Sequence, residues 1–293
     1  MTIVDCVLDA RARVGEGAMW DERSGQLWWV DIDAGTLHRF DPESGTDQAW
    51  PMPSKIGCFV FREAGGHVVA LENGFAFFDP ASGALEPIAD PEPDLPDNRF
   101  NDGTPDPAGR FVAGTMPMGE RLPVASIWRL DADRSVTRLV DGLRVSNGMA
   151  FSPDGKTFYW SDSEASVQTI WQAGYDPATG ALAERRVFAT TFELAGRPDG
   201  GTIDADGCYW MAGVGGWQLV RFTPRGEVDR VIEMPVEKPT KIAFGGSDLS
   251  TLYVTSIGGG LTAGSEARQP HAGGLFALRV PGVQGLPVRR FAG

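Results

Sequence analysis

Histidine is scarce in this chain: three among 293 residues, His38, His67 and His271. Cysteine is as scarce, at Cys6, Cys58 and Cys208, odd in number and far apart. None of these spacings matches a metal motif, and a three-histidine zinc centre is excluded by placement. His38 falls within a predicted third strand and His67 beside a hairpin turn, which are positions for packing or surface residues. Scattered, unpaired cysteines point to a reducing, cytoplasmic compartment. No run is long enough to span a bilayer. Met1-Thr2-Ile3-Val4-Asp5 has neither the basic region nor the apolar core of a signal peptide. A net charge of −13 leaves no basic footprint for nucleic acid or an anionic membrane. The nucleophile elbow of serine hydrolases and a phosphate-cradling glycine loop are also missing.

What the chain has in plenty is turn residues. Its 38 glycines and 21 prolines are spread evenly, which implies many short elements joined by tight turns. Six segments rich in aromatic and β-branched residues recur at a period of about 40 to 50 residues. They are 26–31, 67–71, 110–114, 157–162, 208–212 and 251–255. Each follows a turn such as Asp154-Gly155-Lys156 or Asp206-Gly207, and most lead to further strands through turns such as Asp41-Pro42-Glu43-Ser44-Gly45 and Asp176-Pro177-Ala178-Thr179-Gly180. Four antiparallel strands per unit, repeated six times, predict an all-β, six-bladed β-propeller occupying residues 1–293 as one domain. A pair of stacked β-sandwiches fits so regular a repeat poorly. The stretch 3–8 is expected to add an outer strand to the blade built from the C-terminal part. No 3.6-residue period is sustained long enough for a major helix.

Four times a polar residue precedes a glycine at the head of an apolar strand: Glu16-Gly17, Asp102-Gly103, Asn147-Gly148 and Asp199-Gly200. The plainer reading of any one pair is a turn. Four at one address in a repeat place Glu16, Asp102, Asn147 and Asp199 at the rim of a central channel, where their oxygens would converge. Such oxygens are hard ligands, suited to calcium, magnesium or manganese and tolerated by zinc. Met116, Met118, Trp217 and Phe59 are expected near the same rim.

Several segments together carry a family resemblance. They are Val14-Gly15-Glu16-Gly17, Asn98-Arg99-Phe100-Asn101-Asp102-Gly103, Ser146-Asn147-Gly148 with Ser152-Pro153-Asp154-Gly155-Lys156, Pro198-Asp199-Gly200, and the late loop from Arg268 to Phe276. In this order, across essentially the whole chain, they resemble the gluconolactonase/regucalcin (senescence marker protein) family. The resemblance implies a six-bladed propeller and a lactonase that opens sugar lactones (glucono-, xylono-, arabinono- or galactonolactone) to the aldonic acid. It implies one divalent cation, calcium or zinc first, with magnesium, manganese or iron(II) as other candidates, held by Glu16, Asn147 and Asp199. Arg99 and Asn101 would bind substrate, as would Glu120 with a one-residue shift of its loop, and Asp199 would act as general base and then proton donor. Asp102 is not a direct ligand by this likeness. The partner is then a small sugar lactone, and the chain a monomer or weak homodimer. Two other readings remain: a calcium-dependent organophosphate or arylester hydrolase, and a non-catalytic calcium-binding propeller.

Overall fold

The computed structural model describes residues 2–293 and is built from six four-stranded antiparallel sheets. Blade 1 runs Gly15–Asp21, Gln26–Asp31, Thr36–Asp41 and Thr46–Pro51 from the channel outward. The next four blades repeat this order with inner strands Ile56–Phe61, Asn98–Pro105, Ser146–Phe151 and Arg197–Ile203. Blade 6 starts at Pro239–Gly245, continues through Thr251–Ser256 and Leu275–Arg279, and is finished by Val4–Leu8 from the other end of the chain. Cys6 lies opposite Phe276 in that closing pair. Successive inner strands pack against one another around the ring, and that of blade 6 packs against that of blade 1. The predicted propeller and its closure by the N-terminal stretch are therefore observed. The one helical element among the described residues is a single 3₁₀ turn, Glu266–Arg268.

Local chemistry explains the repeat. Asp21, Asp41 and Asp79 each end a strand, Asp176 lies two residues past the end of one, and each is followed four residues later by a glycine in the left-handed region, Gly25, Gly45, Gly83 and Gly180. In each turn the aspartate accepts a backbone N–H two residues on and a Ser or Thr hydroxyl three residues on, for example Arg23 N–H at 3.0 Å and Ser24 Oγ at 2.7 Å on Asp21. The same pair of bonds recurs at Asp41, Asp79 and Asp176. The side chain imitates a backbone turn while the glycine supplies the positive φ. Inner strands are mostly buried, and outermost ones such as Thr46–Pro51 are largely exposed. Apolar residues between neighbouring blades form the core, with Trp160, Trp210 and Tyr209 fully buried.

The three cysteines are free. No helix of the described residues is long and apolar enough to cross a membrane. His38 is in its third strand, bonded to Asp47 at 2.7 Å and stacked on Trp29. His67 is buried among Trp28, Phe59, Phe61 and Phe78, and burial pulls its pKa down to about 3. Phe59 belongs to this aromatic core, with 1% exposure, so it does not line the channel mouth as expected.

Candidate active site

The residues that reach the channel do so because the inner strands are irregular. In every blade the ladder between the inner and second strand slips near the mouth where the inner strand begins. A bulge of this kind inserts unmatched residues and re-aims the side chains beside it. The four polar-glycine pairs all fall at these slips. Their addresses are not identical, however. Glu16 and Asn147 are the last paired residues before the bulge, opposite Val30 and Ser161. Asp199 is the first residue inside its bulge, and Asp102 the second inside its own. Gly17 and Gly148 take φ values of 60° and 63°, whereas Gly103 and Gly200 are not left-handed. Alignment on glycine merged two kinds of step that the ladder separates.

The structure brings Glu16, Asp102, Asn147 and Asp199 together, all buried. Burial, and then the charges of Asp199 and Asp102, raise the Glu16 carboxyl well above its usual range. Burial and then Asp102 push Asp199 up to about 7, a rise partly offset by a hydrogen bond with Glu16. Asp102 is the carboxylate with a counterion: it accepts Lys241 Nζ at 2.7 Å and the Met149 N–H at 3.2 Å. Lys241 is buried with it and sits in the bulge of blade 6. Sequence reading missed this lysine because Pro239-Thr240-Lys241 contains no glycine to mark the address.

Asn147 is held by one half of its amide. Its Nδ2 donates to Ser163 Oγ at 2.8 Å, and Ser163 Oγ donates to the carbonyl of Pro198, next to Asp199. Its Oδ1 is buried with no hydrogen-bond partner. A buried amide oxygen without a donor is costly, and the two buried carboxylates beside it, Glu16 and Asp199, have raised pKa values. A bound dication would meet all three needs at once, so the residues fit one. Among the described residues, no three His, Cys, Asp or Glu side chains form a metal-binding group by themselves. The oxygen set here depends on the amide of Asn147.

Arg99 is half-buried beside this cluster. Its Nη1 donates to the Phe100 carbonyl and to Asn101 Oδ1, both at 2.8 Å. Burial, and then the charge of Arg121, lower its pKa to about 10. Asn101 Nδ2 donates to the Ser146 carbonyl at 2.9 Å, so Asn101 braces Arg99 against the next blade. Glu120 is exposed in the loop after Phe111–Pro117, and its backbone oxygen accepts the Leu122 N–H. Of the rim residues expected, Met116 is buried, Met118 is exposed, and Trp217 lies under the Arg268 guanidinium.

A six-bladed propeller with an oxygen-only cluster at one mouth of its channel is the class of protein defined so far. Residues 14–258 match the SMP-30/Gluconolactonase/LRE-like region, and the chain belongs to that family. It is 38% identical to the 6-deoxy-6-sulfogluconolactonase of Pseudomonas putida, over 98% of each chain. It is 39% identical to the L-arabinolactonase of Azospirillum brasilense, over 97% of this chain and 94% of that one. It is also similar to a solved structure, the calcium-binding protein regucalcin of Agrobacterium tumefaciens, with a TM-score of 0.92, 30% identity, and coverage of 99% of this chain and 98% of that one.

Proposed function

We propose that this propeller works as a single catalytic domain, a divalent-cation-dependent hydrolase that opens a sugar-acid lactone to its aldonic acid. The observation that carries the reading is the buried, unpartnered Oδ1 of Asn147 beside two buried carboxylates, Glu16 and Asp199, whose pKa values burial raises. Sugar lactonases among its relatives, and a relative described as calcium-binding, support it. Glu16, Asn147 and Asp199 would hold the cation; calcium suits a site of oxygens alone. When bound, the cation supplies Lewis-acid polarisation of the lactone carbonyl and acidifies water.

The remaining work falls to the chain's own side chains. Asp199 takes the proton of the attacking water and returns it to the ring oxygen as the acyl bond breaks. Arg99 keeps N–H groups beyond those bonded to Phe100 and Asn101 and turns them to sugar hydroxyls. Asn101 fixes the plane of that guanidinium and offers its second amide hydrogen to substrate. The test is proton release from a panel of aldonolactones, with spontaneous opening subtracted, in chelator and with each metal restored. Hydrolysis that needs the cation is expected; cation uptake without hydrolysis of any lactone would overturn the reading.

A further inference from the structure

Above the carboxylates lies a layer of opposite charge. Lys55, Arg99, Arg197 and Lys238 each stand one residue ahead of the last paired position before the bulge, in blades 2, 3, 5 and 6. In blades 1 and 4 that position is Gly15 or Ser146, and an arginine comes two residues earlier, as Arg13 or Arg144. Both arginines lie in the bend that leads into the inner strand. The backbone N–H groups of Arg13 and Arg144 are fixed in the same way, on Asp31 at 2.8 Å and on Asp162 at 2.7 Å. Every blade thus enters the channel through a basic residue.

The arc over blades 3 to 5 is the least neutralised part. Arg121 joins it from the loop after Phe111–Pro117, donating to the Pro117 carbonyl, and Arg144 donates to the carbonyl of Arg121. Lys55 has a carboxylate partner, Asp33 at 2.5 Å, and Lys238 reaches backbone oxygens of Gly259 and Gly260. Among the described residues, no carboxylate lies within 4.0 Å of the guanidinium nitrogens of Arg99, Arg121, Arg144 or Arg197. Glu164, which is near Arg121 and Arg144, is turned instead to the N–H and hydroxyl of Ser166. This happens in a chain with 39 acidic residues against 26 basic ones. Sugar hydroxyls do not need four unpaired guanidinium groups. Planar N–H forks match an oxyanion, which they bind through charge-assisted pairs.

We infer that Arg121, Arg144 and Arg197, with Arg99 beside them, form a subsite for an oxyanion carried by the substrate away from its reacting carbonyl. The preferred substrate is then an anionic sugar lactone bearing a sulfonate, phosphate or carboxylate. The inference rests on the lactonase reading for its reaction and on the arginines alone for its anion.

Its test compares kcat/KM for glucono-1,5-lactone, 6-phosphogluconolactone and 6-deoxy-6-sulfogluconolactone at low and high ionic strength. An anionic lactone is expected to be preferred at least about tenfold, with the preference shrinking in salt; the rank of phosphate against sulfonate names the anion. Arg121→Gln and Arg197→Gln should each shrink that preference several-fold through KM, whereas a purely structural role would lower all three substrates together and leave the ratio intact. Calorimetric binding of 6-phosphogluconate, with and without cation, gives a readout independent of turnover. Equal turnover of neutral and anionic lactones with a salt-independent ratio would overturn the subsite and leave the lactonase standing. Binding of 6-phosphogluconate that Arg197→Gln abolishes, with no lactone hydrolysed, would leave the subsite standing and overturn the reaction.

Discussion

Blades 1 and 4 face each other across the ring and are entered by almost the same device. Val14-Gly15-Glu16-Gly17 and Val145-Ser146-Asn147-Gly148 both begin with two backbone N–H groups held by an aspartate at the end of the second strand, Asp31 or Asp162. Both put a polar residue at the last rung before the bulge, and both follow it with a left-handed glycine. They differ in the group presented: Glu16 is a carboxylate and Asn147 an amide. The aspartate, the bulge and the glycine make the address, and the side chain placed there sets the charge. With Asp199 and Asp102 already close to Glu16, a further carboxylate at 147 would add another buried like charge. The amide supplies an oxygen without that repulsion.

The largest effects should come from removing a carboxylate of the cluster. Glu16→Gln and Asp199→Asn are expected to lower kcat on the order of 10³-fold or more with an unchanged circular dichroism spectrum. Near-normal turnover in folded Asp199→Asn would show that the carboxylate is not the proton carrier. Making the two addresses alike comes next: Asn147→Asp should tighten cation binding about tenfold, because affinity at oxygen sites follows ligand charge, and calorimetry that finds no change would remove Asn147 from the ligand set.

The cation-free protein should also betray the crowding through pH. Asp199 stands at about 7 when folded against an ordinary 3.8, and Glu16 is raised as well. Between those values the folded state keeps protons that the unfolded chain has released, so stability is lost as pH rises from about 4 to about 7. Melting in chelator is therefore expected several degrees lower at about pH 8 than at about pH 5, with a cation erasing the difference, while pH-independent melting would mean that the carboxylates are not buried as described. A finer comparison pits Gly148→Ala against Gly17→Ala. Both add strain of about 1–2 kcal/mol at positive φ, but a methyl at Gly148 would meet Tyr209 Oη at 2.3 Å and at Gly17 only Val30 Cγ2 at 3.2 Å. Gly148→Ala should be the less stable in denaturant titration; the reverse order would mean that the two glycines are not built as described. The smallest effect is expected from Glu120→Gln, a change in KM of a few-fold at most, because that side chain is exposed; a loss as large as that of Asp199→Asn would place Glu120 at the substrate.

Much of this architecture was legible because blades repeat their punctuation. The strands Gln26–Asp31 and Thr157–Asp162 were bounded by turn chemistry that depends on one aspartate and one glycine. The cluster was legible in part for the same reason, since a glycine marks four of the six inner-strand bulges just after a polar residue. The rest was hidden because a bulge is a property of pairing and leaves no composition of its own. Blade 6 reaches the site with Lys241 and no glycine, and blade 2 places Gly57 there with no polar residue ahead of it. The Lys241–Asp102 pair spans 139 residues, a distance that no local pattern reports. The unpaired arginines were hidden too, because sequence lists charges without saying which find a partner.

The seam at blade 6 has a consequence for how the molecule is made. Val4–Leu8 bonds to Leu275–Arg279, which leaves the ribosome about 270 residues later. At synthesis rates of about 5–20 residues per second, that strand waits on the order of 15–50 s as an unpaired edge while the intervening blades fold. It is short, and Asp5 within it carries charge, two features that blunt an edge against pairing with a stranger. The seam thus makes the last blade a kinetic checkpoint, passed only when the two ends of the propeller meet.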